Sequence, residues 1–195
     1  MSTNKPARKL GSPGDKADVA RLGYVGKRPG SRRRDSDSWF TPPQYLVAVR
    51  MVLGRIDLDP FSSDAANLTV GAKHYHTEAD DAFTKSWLAG SVFMNPPYGR
   101  LCRPAVEKFV AEFLSGHFTA GIVLVNNATE TRFFQLLLQT STAVAFTNHR
   151  ISFTNVDGKR ISGNTRWQAF FYFGKEARIP AFAAAFSPFG KVISL

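Results

Sequence analysis

Among the residues of this 195-residue chain, Asn95-Pro96-Pro97-Tyr98 holds the types and spacing best suited to chemistry. It ends an apolar run, residues 91–94, with two prolines that lack amide hydrogens and fix their own φ. Such a stretch does not continue a sheet; it is a stiff turn where a buried strand stops. The turn can present two acceptors with little freedom. One is the Asn95 side-chain oxygen. The other is the Pro96 carbonyl, held because residues before and at prolines are restricted. An exocyclic amine on an aromatic ring, such as N6 of adenine, is a poor nucleophile because its lone pair is delocalised into the ring. Two acceptors aimed at its two hydrogens localise that pair and stabilise the positive charge that develops in the transition state. Tyr98 adds a flat face on which a base can stack. An adenine reaches such a site only by leaving the double helix, at a cost that stacking partly offsets. The plain alternative is an ordinary turn, since Asn, Pro and Gly are turn formers.

The turn must be carried by ordered elements. Residues 42–54 have a proline at the start, apolar residues at helical spacing and Gly54 at the end, which predicts a helix. A short strand at 55–60 stops at Pro60, and 61–87 reads as loop and broken helix. Strands are expected at 91–95, 118–126, 142–148 and 166–174, with helices at 104–116 and 129–140 between them. An Asp-Gly turn at 157–158 predicts a hairpin or loop over 151–162. Strands and helices alternate, and the middle strands are apolar throughout, as in a parallel sheet covered on both faces. The expected fold is an open α/β sheet. Ligands in such sheets bind beyond the carboxyl ends of the strands. Asp57, Asp59 and the Asn95–Tyr98 turn are therefore expected on one rim. Asp59 is favoured over Asp57, because side chains alternate along a strand.

Composition narrows the partners. The net charge is +10, which points to a polyanion, most simply nucleic acid. Residues 1–35 hold ten lysines and arginines against three aspartates. With few apolar residues, residues 1–37 read as a basic, disordered arm able to touch phosphates through Arg32, Arg33 and Arg34, ahead of a domain at 38–195. A bland solubilising tail is the alternative. A single cysteine, Cys102, excludes an internal disulfide framework and a CxxC metal site. His74 and His76 have no companions and read as ordinary polar residues. No run is apolar enough to span a membrane, and the N-terminus has no secretory h-region.

Several motifs in order, "WFTPPQYL", "DLDPFSS", "YHTEADDAF", "VFMNPPYG", "VLVNNATETRFF" and "RISF", resemble those of the small phage-type, Dam-like DNA N6-adenine methyltransferases over roughly residues 38–175. The resemblance implies a minimal, open Rossmann-like S-adenosylmethionine-dependent methyltransferase sheet without a separate target-recognition domain. It implies DNA as partner, a bacterial host cytoplasm as location, and neither a metal nor a protein nucleophile. Transfer would be a direct in-line displacement from sulfonium to N6, helped mainly by positioning. Asn95, Pro96, Pro97 and Tyr98 match the catalytic motif. By similarity, Trp39, Thr41 and Pro42 lie beside the methionine part of the cofactor, and Asp59 and Pro60 meet it at a strand end. Asp81 and Phe83 match the segment that contacts adenosine, with Asp80 and Asp81 not separable on sequence. DNA contacts would then come from the 148–165 loop region, through His149, Arg150, Lys159, Arg160 and Arg166, and from the arm.

The chain departs from the wider class in lacking a GxG loop after its first strand, and the interval from Asp59 to Asn95 is short enough for a strand–helix unit to be missing. Rival readings are a methyltransferase acting on RNA or on protein glutamine, and a DNA-binding protein on a dead methyltransferase scaffold. "PPQY" at 42–45 also fits the pattern read by WW domains, although it precedes a helical pattern.

Overall fold

The computed structural model describes residues 39–155, 159–160 and 165–195. The basic arm, with Arg32, Arg33 and Arg34, and the Asp157-Gly158 turn lie outside the described residues.

Five α-helices and seven strands are present among the described residues: α1 (Pro43–Leu53), β1 (Leu58–Asp59), α2 (Asp64–Val70), β2 (His74–Tyr75), β3 (Ser91–Met94), α3 (Cys102–Leu114), β4 (Ala120–Asn126), α4 (Arg132–Thr140), β5 (Ala143–Thr147), β6 (Gln168–Phe173), α5 (Ile179–Phe186) and β7 (Gly190–Ser194). The sheet order is β2-β1-β3-β4-β6-β5-β7. Strands β2, β1, β3 and β4 pair in parallel. The expectation of a parallel sheet holds for that half only. β6 runs antiparallel to both β4 and β5, and β7 antiparallel to β5. Among the described residues no helix lies between β5 and β6, and the chain turns back along its neighbour. A strand buried on both faces is apolar in either direction, which is why its sequence hides the reversal.

Local signals start and stop the helices. Pro43 opens α1, where its missing N–H costs nothing, and Gly54 closes it at φ 81°. The Ser63 hydroxyl accepts from the Ala66 N–H to cap α2, and Thr131 does the same for Phe134 in α4.

Alternation along the central strands divides the core in two. Phe93, Ile122, Leu124, Phe170 and Tyr172 face one side, where Leu46, Val49, Phe182 and Phe186 of α1 and α5 cover them. Val92, Met94, Val123, Val125, Phe171 and Phe173 face the other, under Phe109 of α3 and Phe134 of α4. At Gly121 a Cβ would come within 2.6 Å of Phe109 Cζ, so the bare backbone lets α3 sit close to β4. The segment leading into β3 is tied down by buried Glu112, which accepts from Lys108 Nζ and the Trp87 N–H and pairs with His117 Nδ1. No described helix is long and apolar enough to cross a membrane.

β1 has its sequence successor β2 on one side and β3 on the other. The point where the chain switches sides lies between β1 and β3, and open α/β sheets bind ligands outside the carboxyl ends at such a point. Asp59 and Asn95 stand at those two ends.

Candidate active site

Asn95 follows β3 directly and is half-buried. Its Nδ2 donates to the Trp39 carbonyl and the Thr41 hydroxyl, both at 3.3 Å. Its Oδ1 accepts from the Tyr98 hydroxyl at 3.2 Å. Acceptors on residues 39–41 hold the amide nitrogen on that side, so the oxygen faces Tyr98 with a second lone pair to offer. Burial pushes the ionisation of Tyr98 well above the usual phenol range, with a smaller contribution from Cys102. The phenol therefore stays a donor.

The opening segment reaches Asn95 because Phe40 and Thr154 exchange backbone hydrogen bonds of 2.8 and 3.2 Å, and Thr154 bridges on to Arg160. This pairing brings three rings together above the turn. Trp39 stacks on Phe153 with centroids 5.3 Å apart, and Tyr98 lies 5.9 Å from Trp39 and 6.3 Å from Phe153. Trp39 Nε1 is buried with no hydrogen-bond partner. Thr41 is 4% exposed, so its contact with Asn95 is shielded from water.

Pro42 borders a cleft of about 380 Å³ next to this aromatic cluster, lined also by Gln44, Tyr45, His149, Arg150, Ser152, Thr154 and Arg160. The His149 ring is fixed between the Tyr45 hydroxyl on Nε2, at 2.7 Å, and Asn148 Oδ1 on Nδ1, at 2.6 Å. Arg150 and Arg160 thus come together at the cleft, whereas Lys159 and Arg166 lie outside its lining. Arg166 is exposed just before β6, and the Lys159 N–H donates to Asn155 Oδ1 in the adjoining turn.

On the β1 side, Asp59 is 4% exposed and its Oδ1 accepts from the Phe61 N–H at 3.2 Å. Burial pushes its carboxyl up to about 7, against the pull of that N–H. The Ser62 hydroxyl lies close enough to favour the ionised form without completing a hydrogen bond. Pro60 is buried beside Asp59. Phe83 packs on Phe61 at 5.2 Å, bringing the 80–83 segment to the β1 end. The Asp80 carboxylate is engaged at 2.8 Å by both the N–H and the hydroxyl of Thr77. Asp81 has a left-handed φ of 50°, the one positive φ outside glycine among the described residues. Buried Ser62 Oγ and His76 Nε2, both at this end, have no hydrogen-bond partner. Among the described residues no cluster of His, Cys, Asp and Glu could hold a metal ion.

Asp57 corrects one expectation. It precedes β1 and stands at the opposite end of the sheet from the rim, held by Arg55 Nε and the Ser91 N–H. A Cβ at Gly90 would meet Asp57 Oδ2 at 2.6 Å, so a side chain there would push the carboxylate from its place. Cys102 is buried, which pushes its thiol up to about 12 and leaves no reactive thiolate.

Three features were not visible in the sequence. They are the Thr41–Asn95 hydrogen bond, the pairing of Phe40 with Thr154, and the role of Gln44 and Tyr45 in the cleft wall. Each joins segments remote along the chain, and helical periodicity disguised the last pair as plain helix surface.

Fold and site together define an α/β protein with an amide oxygen and a rigid proline turn presented beside the switch point of its sheet. That is the class of open α/β proteins whose ligand sites lie at the carboxyl ends of the strands. The chain belongs to the family described as DNA N-6-adenine-methyltransferase (Dam), whose family model matches residues 30–184. Neither the curated proteins nor the solved structures contain a match.

Proposed function

We propose that this protein transfers a methyl group from S-adenosylmethionine to N6 of an adenine turned out of DNA. The observation that carries the reading is the fixed amide of Asn95, with its nitrogen engaged by residues 39–41 and its oxygen accepting from the Tyr98 hydroxyl. Asn95 Oδ1 and the Pro96 carbonyl accept the two amino hydrogens, and Pro97 keeps the turn stiff. Tyr98 supplies the face against which the base stacks. Charge forming on N6 is thus met by acceptors that need no rearrangement.

S-adenosylmethionine supplies the electrophilic methyl carbon. The residues present fit it: Ser62 Oγ, His76 Nε2 and Trp39 Nε1 are buried polar atoms with unmet hydrogen bonds, and such atoms call for a polar ligand. Asp59 and Pro60 would meet its polar groups at the end of β1. Asp81 is preferred to Asp80, whose carboxylate already caps Thr77, and Phe83 would lie against the adenosine ring. Trp39, Thr41 and Pro42 would border its methionine part. Thr41 then acts on the reaction through Asn95 as well.

Arg150 and Arg160 place two positive charges in the cleft bordered by Pro42 and Thr154, where a DNA strand leading to the extruded base would pass. Lys159 and Arg166 would add charge to the same DNA contact, and residues 1–37, with Arg32, Arg33 and Arg34, would supply further phosphate contacts. The phage or prophage setting and the cytoplasm of a bacterial host belong to this reading too.

Labelled S-adenosylmethionine offered with unmethylated duplex DNA, with RNA and with total protein tests the reading. Label in N6-methyladenine of DNA is expected, and label confined to RNA or protein would refute it. Two variants sharpen the result. Thr41→Val, close in shape but without the acceptor, is expected to lower kcat about tenfold at unchanged KM for DNA, since one hydrogen bond fixing Asn95 is lost. Thr41→Ser should restore it, and a normal kcat for Thr41→Val would remove Thr41 from the mechanism. Deleting residues 1–35 should weaken DNA binding and flatten its dependence on salt, because fewer counterions are released. An unchanged slope would show the arm to be idle.

A further inference from the structure

The three tryptophans of the chain have different surroundings. Trp87 is fully buried and Trp39 is packed against Phe153, but Trp167 leaves 49% of its surface in solvent. A single exposed apolar residue means little by itself. Position and mounting decide this case.

Trp167 comes just before β6, whose first residue, Gln168, pairs with Asn126 at the carboxyl end of β4. It therefore stands on the same rim as Asn95. Met94 is level with Val123, so Asn95 is level with Leu124, and the Asn127–Trp167 contact lies three residues further along. That is roughly 10 Å higher along the strands and two strand spacings, roughly 10 Å, to the side. Trp167 thus stands further out on the rim than the Asn95–Tyr98 turn, with half of its surface in solvent.

The mounting is rigid. The Asn127 N–H donates to the Trp167 carbonyl at 2.6 Å. On either side works Gln168, which has no exposed surface. Its Nε2 donates to the Arg166 carbonyl at 2.7 Å and to Asn126 Oδ1 at 3.0 Å, and its Oε1 accepts from the Ile151 N–H at 2.8 Å. A buried amide thus fixes the backbone under an aromatic ring left in water. A flat ring with only two side-chain torsions, carried on a fixed backbone, binds another ring with little loss of conformational freedom.

We propose that Trp167 inserts its indole into the base stack of DNA beside the extruded adenine. The inference rests on the reading of the protein as an enzyme that extrudes adenine from a duplex. Extrusion leaves a gap, and apolar side chains wedge between unstacked base steps. Arg166, next in the chain, brings positive charge to the same point of the rim. Every base has a π-face, so this contact strengthens binding at any sequence.

The test titrates the full chain with unmethylated plasmid DNA while following tryptophan emission, and measures methyl transfer to the same DNA. Wild-type emission should be quenched, and Trp167→Phe should lose most of the quench while keeping transfer within about threefold, since phenylalanine still stacks. Trp167→Ala should raise KM for DNA by about tenfold or more and leave Tm unchanged, because the indole is exposed. Wild-type kinetics in Trp167→Ala would overturn the proposal, as would a full quench in Trp167→Phe. If the wild type transfers no methyl group to DNA, yet its quench vanishes in Trp167→Phe, the enzyme reading fails and the stacking contact stands.

Discussion

Replacing Asn95 by alanine should lower kcat for methyl transfer by a factor of about 10² to 10³, the range seen when one fixed hydrogen-bonding group at a developing charge is removed. The argument starts from N6, whose lone pair is delocalised until its hydrogens are held. Alanine leaves the Pro96 carbonyl alone for that task. The effect belongs in kcat, measured in single turnovers with enzyme in excess, because amine and acceptor interact most strongly when charge appears on nitrogen. Stability should fall modestly, by about 1–2 kcal/mol, as the Trp39 carbonyl and the Thr41 and Tyr98 hydroxyls lose a partner. Asn95→Asp keeps an acceptor but sets an anionic oxygen toward the Trp39 carbonyl, and should be impaired too. A folded Asn95→Ala protein with near-normal turnover would refute the assigned role.

Asp59→Asn should move stability and cofactor affinity in opposite directions. Burial raises the Asp59 carboxyl from 3.8 to about 7. Between those values the folded protein holds a proton that the unfolded chain gives up. The stabilisation due to that proton is fully present below about pH 4 and is lost as pH rises through about 7, up to a few kcal/mol in all. Asparagine is neutral throughout and can still accept from the Phe61 N–H. Its Tm should therefore exceed that of wild type at pH 8–9 and match it near pH 4. Calorimetry across that range reads the difference directly. At pH 8 the variant should bind S-adenosylmethionine at least about tenfold more weakly, since a charged hydrogen bond is lost. A Tm difference that does not change with pH would sink the account of Asp59.

The sequence made the site more legible than the sheet. Asn95-Pro96-Pro97-Tyr98 could be placed at a strand end because proline punctuates the chain and because the run before it is wholly apolar. Helix α1 was readable from Pro43 and Gly54, and α3 from Gly116 beyond its end. The direction of β6 was not readable, because Gln168–Phe173 is buried on both faces and shows no polar side. Two-residue β2 gives too short a pattern to register. Helix α5 escaped notice because "IPAFAAAF" has no polar stripe to mark an amphipathic period. Asp80 and Asp81 could not be separated by type, since only the fold reveals that Thr77 occupies the first. Asp57 failed as a rim residue because the strand is so short that one step back along it reaches the sheet's other end.

The aromatic cover above the turn is built from parts that lie far apart along the chain. Asn95 meets Trp39 across 56 positions, and Tyr45 meets His149 across 104. Closing loops of that length is slow relative to forming the helices and local strand pairs. The stack of Trp39 on Phe153 is therefore completed only once residue 153 has been made, long after Asn95 and Trp39 themselves.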